Sequence, residues 1–229
     1  MNWLESLDQN LDRLQGIERV AVISEYGSYI EHIQRRRAGY MAKYYDDLIC
    51  NPRYSSAVNF LLNDLYASPD LIKRMLDLRQ ARAAMSRALP DAMMATVARA
   101  VEFSVCLFET DLAVAEAVSE DGGDVALMSE SEFDTVLLKA TSREQLERQL
   151  ELVVIVGREI EAVVHKPFVS TALKLCRKPA KLMGLSELQA FLERGFSAFK
   201  SMRGSETFFQ IFKTREQDRI NKLFIVRQD

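Results

Sequence analysis

Apolar residues along this chain of 229 residues return every three or four positions almost from end to end, the period of α-helices with one buried face. The clearest stretch is 51–70. Asn51 can accept a hydrogen bond from a first-turn amide and Pro52 brings a preset φ, so a helix is predicted to start there. Val58, Leu61, Leu62 and Leu65 follow as one stripe that Phe60 and Tyr66 widen, and Ser68, Pro69 and Asp70 repeat the start signal for the next helix. Upstream, residues 3–50 lack proline and soften only at Gly16 and at Tyr26-Gly27-Ser28, which predicts two or three helices. The last of them, near His32 to Ile49, carries Tyr40, Tyr44 and Leu48 on one face. Arg35, Arg36 and Arg37 point about 100° apart on such a helix, so the expectation is a ring of solvated charge.

After Pro69 a helix is predicted to about Ala88. Pro90 opens another that reaches toward Val118 and is apolar on most sides, with Val101, Val105, Phe108, Leu112 and Ala115 marking it as deeply buried. Ser119-Glu-Asp-Gly-Gly-Asp124 breaks the pattern as a turn or loop. It lacks the alternating oxygen ligands and closing Glu of a calcium loop. Ser129 with Glu132 and Thr141 with Glu144 fit the capping box and predict two helix starts. The second helix runs through Leu146, Leu150, Val153, Val154, Gly157, Ile160 and Val164 to His165, where Pro167 ends it. Pro179 and Gly184 divide the next segment into a medium and a short helix. Ser186 and Ser205 open the last two, the final one leaving Arg215, Glu216, Asp218 and Arg219 exposed. Seven of the 12 phenylalanines fall between 191 and 224. Such a face covers the rest of the core or forms a homodimer contact through residues 186–226. The expected fold is all-α, a multi-helix bundle of roughly eight to ten helices without significant sheet. It reads as a single domain over 1–229, with the 119–128 loop as the one place it could divide into halves.

Composition adds little specificity. With 48% hydrophobic and 28% charged residues the chain is globular rather than disordered, and a net charge of −3 gives no general pull toward nucleic acid or anionic membrane. The N-terminus lacks a basic region followed by an apolar run, and the aliphatic run Leu152 to Val156 is too short to span a bilayer. A cytoplasmic protein without membrane contact is expected. Cys50, Cys106 and Cys176 are widely spaced among apolar neighbours, so buried reduced thiols are expected.

Tests for chemistry return no catalytic set. A carboxylate-bridged metal site in a bundle needs Glu-x-x-His from two helices, and the residues three before His32 and His165 are Tyr29 and Ala162. Phosphate-cradling glycine loops, zinc-finger cysteine spacing and a nucleophile elbow are absent, so neither a metal nor a cofactor is expected. Glu161 and His165 share a helical face, where an ion pair is favoured over half of a zinc site. His165 is the one candidate for a cofactor ligand. Asp46, Asp47, Asp64, Asp70 and Asp77 are read as capping groups and partners of Arg53, Arg74 and Arg79 rather than acid–base pairs.

The heptad Phe60-Leu-Leu-Asn-Asp-Leu-Tyr66 resembles the signature of the bacterial FFLEELY-motif proteins, an uncharacterised helical group. Phe60, Leu62, Leu65 and Tyr66 match it; Leu61, Asn63 and Asp64 depart conservatively. The likeness extends through residues 44–53, Leu89-Pro90, Lys178-Pro-Ala180 and residues 188–196. It implies a shared helical fold and carries over no catalytic residue. On the sequence the leading reading is an interaction or scaffold protein with an unknown protein partner. The second is an enzyme or carrier holding an apolar ligand in a bundle of heme-oxygenase-like architecture, and a nucleic-acid regulator using Arg35 to Arg37 ranks last.

Overall fold

The computed structural model describes residues 2–24, 26–67 and 71–225. Among them the chain forms α1 (Trp3–Ile23), α2 (Gly27–Tyr44), the single turn α3 (Asp46–Ile49), α4 (Ser55–Phe60) and a π-helical turn (Leu61–Tyr66). These are followed by α5 (Leu71–Ala88), α6 (Asp91–Glu120), α7 (Glu130–Ala140), α8 (Arg143–Val164), α9 (Pro167–Leu182), α10 (Ser186–Met202) and α11 (Glu206–Ile225). No strand occurs among the described residues, so the chain is an all-α bundle.

The 30-residue α6 is the axis of the packing. Val101, Val105, Val114, Ala115 and Val118 are fully buried on it, with α1, α2, α7 and α8 ranged around it. Helix α8 then carries α11, and α10 lies between α4 and α9. Two glycines set the closest of these approaches. A Cβ on Gly157 would stand 1.9 Å from Cζ of Phe209, and one on Gly195 would stand 2.8 Å from Cζ of Phe60. Each aromatic ring therefore rests on bare helix backbone, which only glycine permits. Of the seven C-terminal phenylalanines, Phe199, Phe208, Phe209 and Phe212 are buried within the chain, and Phe191, Phe196 and Phe224 pack half-buried against the same core. One cluster of buried side chains draws on residues before and after the turn at 121–129.

Several local expectations are corrected. Asn51 accepts from the amide of Arg53 at 2.9 Å, and the amides of Tyr54 and Ser55 bond its carbonyl. An Asx-type turn results, and the helix begins at Ser55 with Tyr54 as its N-cap, three residues later than the expected start at Pro52 with Asn51 as cap, then widens into the π turn. The start signal at Ser68 to Asp70 lies outside the described residues. Gly16 does not interrupt α1, whose break comes at Ser24, and α2 stops at Tyr44 before the separate turn of α3. The box at Ser129 and Glu132 forms, whereas that of α8 is made by Ser142 and Gln145, one residue later than Thr141 and Glu144. Pro179 sits inside a continuous α9 instead of dividing it. Cys50 and Cys176 are exposed and Cys106 half-buried, so the expected burial of all three thiols does not hold. Cys50 closes α3 at a turn, and Cys176 lies on a helix of which Val169 is the buried residue.

Candidate functional site

Helices α2, α6, α7, α8 and α11 do not close completely on one another. Together with Tyr66 of the π turn they enclose an open-mouthed cavity of about 800 Å³, inside the range typical of small-molecule sites. Its apolar wall includes Ile33, Met41, Val114, Leu146, Leu150 and Leu223. Its polar side is assembled from groups far apart in sequence.

The first polar group is centred on Asp111, a fully buried carboxylate in the middle of α6. Arg37 reaches it from α2 as a two-pronged ion pair, with Nη2 at 3.0 Å from Oδ2, and Gln34 donates to the same oxygen at 3.3 Å. Arg37 also donates from Nε and Nη2 to the Tyr66 carbonyl at 3.2 and 2.7 Å. The wider π turn leaves carbonyls for side chains to satisfy: Tyr66 O takes Arg37, and Asp64 O takes the buried Arg74 at 3.1 Å. A fork held on both sides by carboxylate and carbonyl is fixed in place. Beside it, Gln149 of α8 donates to Thr110 Oγ1 at 2.7 Å and to the Cys106 carbonyl at 3.0 Å.

The second group is centred on Glu216 of α11, which is buried. Tyr45 donates to Oε1 at 2.7 Å and Arg219 Nε donates to Oε2 at 2.9 Å. Burial opposes the Arg219 charge, and Glu216 more than offsets this, raising its pKa above the ordinary arginine value. Burial first, and Glu216 second, push the Tyr45 hydroxyl far above the usual phenol range. Tyr66 is raised by burial as well. Both phenols are therefore protonated donors at neutral pH.

Two features of this lining are unpartnered among the described residues. The Tyr66 hydroxyl and both Nη groups of Arg219 make no hydrogen bond there and keep contact with solvent, the Arg219 side chain being 30% exposed. Both residues line the cavity. At the mouth stand Tyr40, stacked on Tyr44 with ring centroids 5.6 Å apart, and Asp134. Partial burial raises the Asp134 carboxyl while Arg219 pulls the other way. Arg36 closes one edge: its guanidinium lies 4.9 Å over the Phe133 ring and donates to the Met128 carbonyl at 2.6 Å.

The three consecutive arginines therefore do diverge, but not into solvent. Only Arg35 is exposed, paired with Glu31 on its own helix, because Asp111 and Phe133 offer the other two interior partners. Glu216, expected at the surface, faces inward because it continues the four-residue spacing of Phe208, Phe212 and Ile220. Of the heptad residues only Tyr66 lines the cavity; Leu62 is buried, Leu65 half-buried, and Phe60 packs against Phe191 and Phe199. His165 stands apart at the C-cap of α8, its side chain 48% exposed and its Nε2 2.9 Å from Glu161 Oε1. The carboxylates weighed for acid–base work go elsewhere: Asp47 pairs with Arg215, and Asp64 with Arg74 and Arg194. The residues that build the cavity, Asp111, Gln149, Glu216 and Arg219, were missed. A carboxylate inside the apolar run of α6 and a glutamate in register with phenylalanines were the signals that could have found them.

The chain belongs to the family whose model is described as Domain of unknown function (DUF8198), which matches residues 21–229. No curated protein and no solved structure matches it.

Proposed function

We propose that the protein binds a small amphipathic molecule with an apolar body and an oxygen-bearing head in the cavity between α2, α6, α7, α8 and α11. The observation that carries this is the pairing of unsatisfied donors, Tyr66 Oη and the two Nη groups of Arg219, with an apolar wall in a cavity of about 800 Å³. These donors face the water of the open-mouthed cavity. An acceptor oxygen that displaces this water bonds them in a drier setting, where a hydrogen bond is electrostatically stronger, and the leucine and valine wall takes the rest of the molecule out of water. The buried Arg37–Asp111 and Tyr45–Glu216–Arg219 networks hold the donors rigid before the ligand arrives.

This reading favours a carrier or sensor over an enzyme, because the lining supplies donors and a wall. The Tyr45 and Tyr66 hydroxyls are pushed away from the range of a general base. Four of the phenylalanines that could have formed a homodimer face, Phe199, Phe208, Phe209 and Phe212, are buried inside the chain, which supports the core reading of residues 186–226 over the dimer one. The FFLEELY likeness fits the site, since its heptad forms the π turn that delivers Tyr66 and the carbonyl clamping Arg37.

Calorimetric titration with a fatty acid, the matching methyl ketone and the matching primary amine tests the proposal. The acid and the ketone carry acceptors, whereas the protonated amine carries only donors. Binding of the first two, lost in Val114→Trp and weakened at least about tenfold in Arg219→Met, is expected. Equal binding of the amine, or binding untouched by Val114→Trp, would overturn it.

A further inference from the structure

Helix α9 has a face that the rest of the bundle does not use. Val169 is its buried residue, the Leu173 carbonyl accepts from Gln189 at 2.8 Å, and Arg177 grips Glu193 of α10 with contacts of 2.6 and 2.7 Å. These contacts fix which way the helix faces. Phe168, Leu175 and Leu182, spaced by seven residues and therefore nearly in line, are left in solvent, Leu175 73% and Leu182 89% exposed. Single exposed apolar residues are ordinary, but an aligned row over four turns is not.

Charge says what covers that row. Between Pro167 and Leu182 there are four cations, Lys174, Arg177, Lys178 and Lys181, and no carboxylate. Lys178 and Lys181 make no ion pair among the described residues. Projected at 100° per residue, Lys174, Lys178 and Lys181 occupy the arc next to the Phe168–Leu175–Leu182 row, so the outward face is half apolar and half basic. The whole-chain charge of −3 hides this local surplus. At 1.5 Å per residue the helix is about 24 Å long, short of a bilayer core of about 30 Å, so it can lie on a membrane but not cross it. Among the described residues no helix is long and apolar enough to cross one.

We infer that α9 docks the protein on an anionic phospholipid surface, with Phe168, Leu175 and Leu182 entering the acyl boundary and Lys174, Lys178 and Lys181 at the headgroups. An amphipathic helix of low net hydrophobicity with lysines along its polar face is the form suited to lying in that plane. A second copy of this chain fits less well, because pairing α9 with itself brings two all-cationic strips together. The inference stands on α9 and not on the cavity.

The test is co-sedimentation of the full chain with vesicles of phosphatidylcholine alone and of phosphatidylcholine with phosphatidylglycerol. Binding to the anionic vesicles alone is expected, weakened by salt. Each of Lys178→Glu and Lys181→Glu is expected to lower partitioning by about fivefold or more. Leu175→Glu with Leu182→Glu is expected to abolish it while circular dichroism stays unchanged, both positions being exposed. Failure to bind anionic vesicles, or binding that ignores these substitutions, overturns the inference. Concentration-dependent self-association lost in the double leucine variant, without vesicle binding, assigns the face to a second copy instead.

Discussion

Tyr45 and Glu216 meet across 171 residues of sequence, hydroxyl to carboxylate at 2.7 Å, with the Tyr45 ring stacked on Phe212 at 5.4 Å. The contact locks α11 against the end of α2 beside the cavity, and Arg219 holds the other carboxylate oxygen. Tyr45→Phe keeps the stacking and removes one hydrogen bond to a charged group, so it should cost about 1.5–3 kcal/mol. Glu216→Leu leaves both the phenol and Arg219 without their partner and should cost more, while Glu216→Gln falls between. Urea denaturation of the three variants gives the order; equal stabilities for Glu216→Leu and Glu216→Gln would contradict it.

Gly157→Ala offers a sharper packing test. Alanine is the better helix former by roughly 1 kcal/mol, so propensity alone predicts stabilisation. The added methyl would stand 1.9 Å from Cζ of the fully buried Phe209. Overpacking of this kind costs about 1–3 kcal/mol, and net destabilisation is expected. A raised melting temperature would show that α11 can move away from α8 at little cost.

Phe60→Ala should cost about 3–5 kcal/mol, the range for a large aromatic removed from a core, because the ring packs on Phe191, Phe199 and Gly195. His165→Gln removes one exposed i,i+4 contact and should change stability by under about 0.5 kcal/mol. Thermal melts of both variants check the contrast.

Glu193 gives a pH dependence with a defined sign. Its hydrogen bond from Arg177, with a second from Gln189, lowers its pKa to about 2 from the ordinary 4.5. A carboxylate depressed on folding contributes stability above its unfolded value and loses it as pH falls through the folded one. The contribution of this pair should therefore be complete above about 4.5 and vanish on approach to about 2. Melting temperatures of the parent and of Glu193→Gln should differ at neutral pH and converge in that acid window. A difference that persists there would place the source elsewhere. Solvent access to Arg177 keeps the effect small.

How much of this was legible in the sequence depends on whether a residue speaks to its neighbours or to distant ones. The 3.6 period, the box at Ser129 and Glu132, and the stop at Pro167 are local and read correctly. The Asn51 start failed because the same side chain can cap a helix or close a turn, and tertiary contacts around Arg53, which donates to the Met202 and Gly204 carbonyls, favour the turn. Pro179 failed as a breaker because α9 continues around the bond it cannot make. The cavity was out of reach for a different reason. Asp111 in its apolar run and Glu216 in register with phenylalanines point inward, but their partners Arg37 and Tyr45 lie 74 and 171 residues away, where no local pattern names them.

A small amphipathic molecule held in the cavity should survive native mass spectrometry of the full chain, purified from its own cells without denaturation. The expected result is a bound species of a few hundred daltons that is retained by Gly157→Ala, if folded, and missing from Val114→Trp. Bare protein mass in the parent chain, or the same adduct on Val114→Trp, would contradict it.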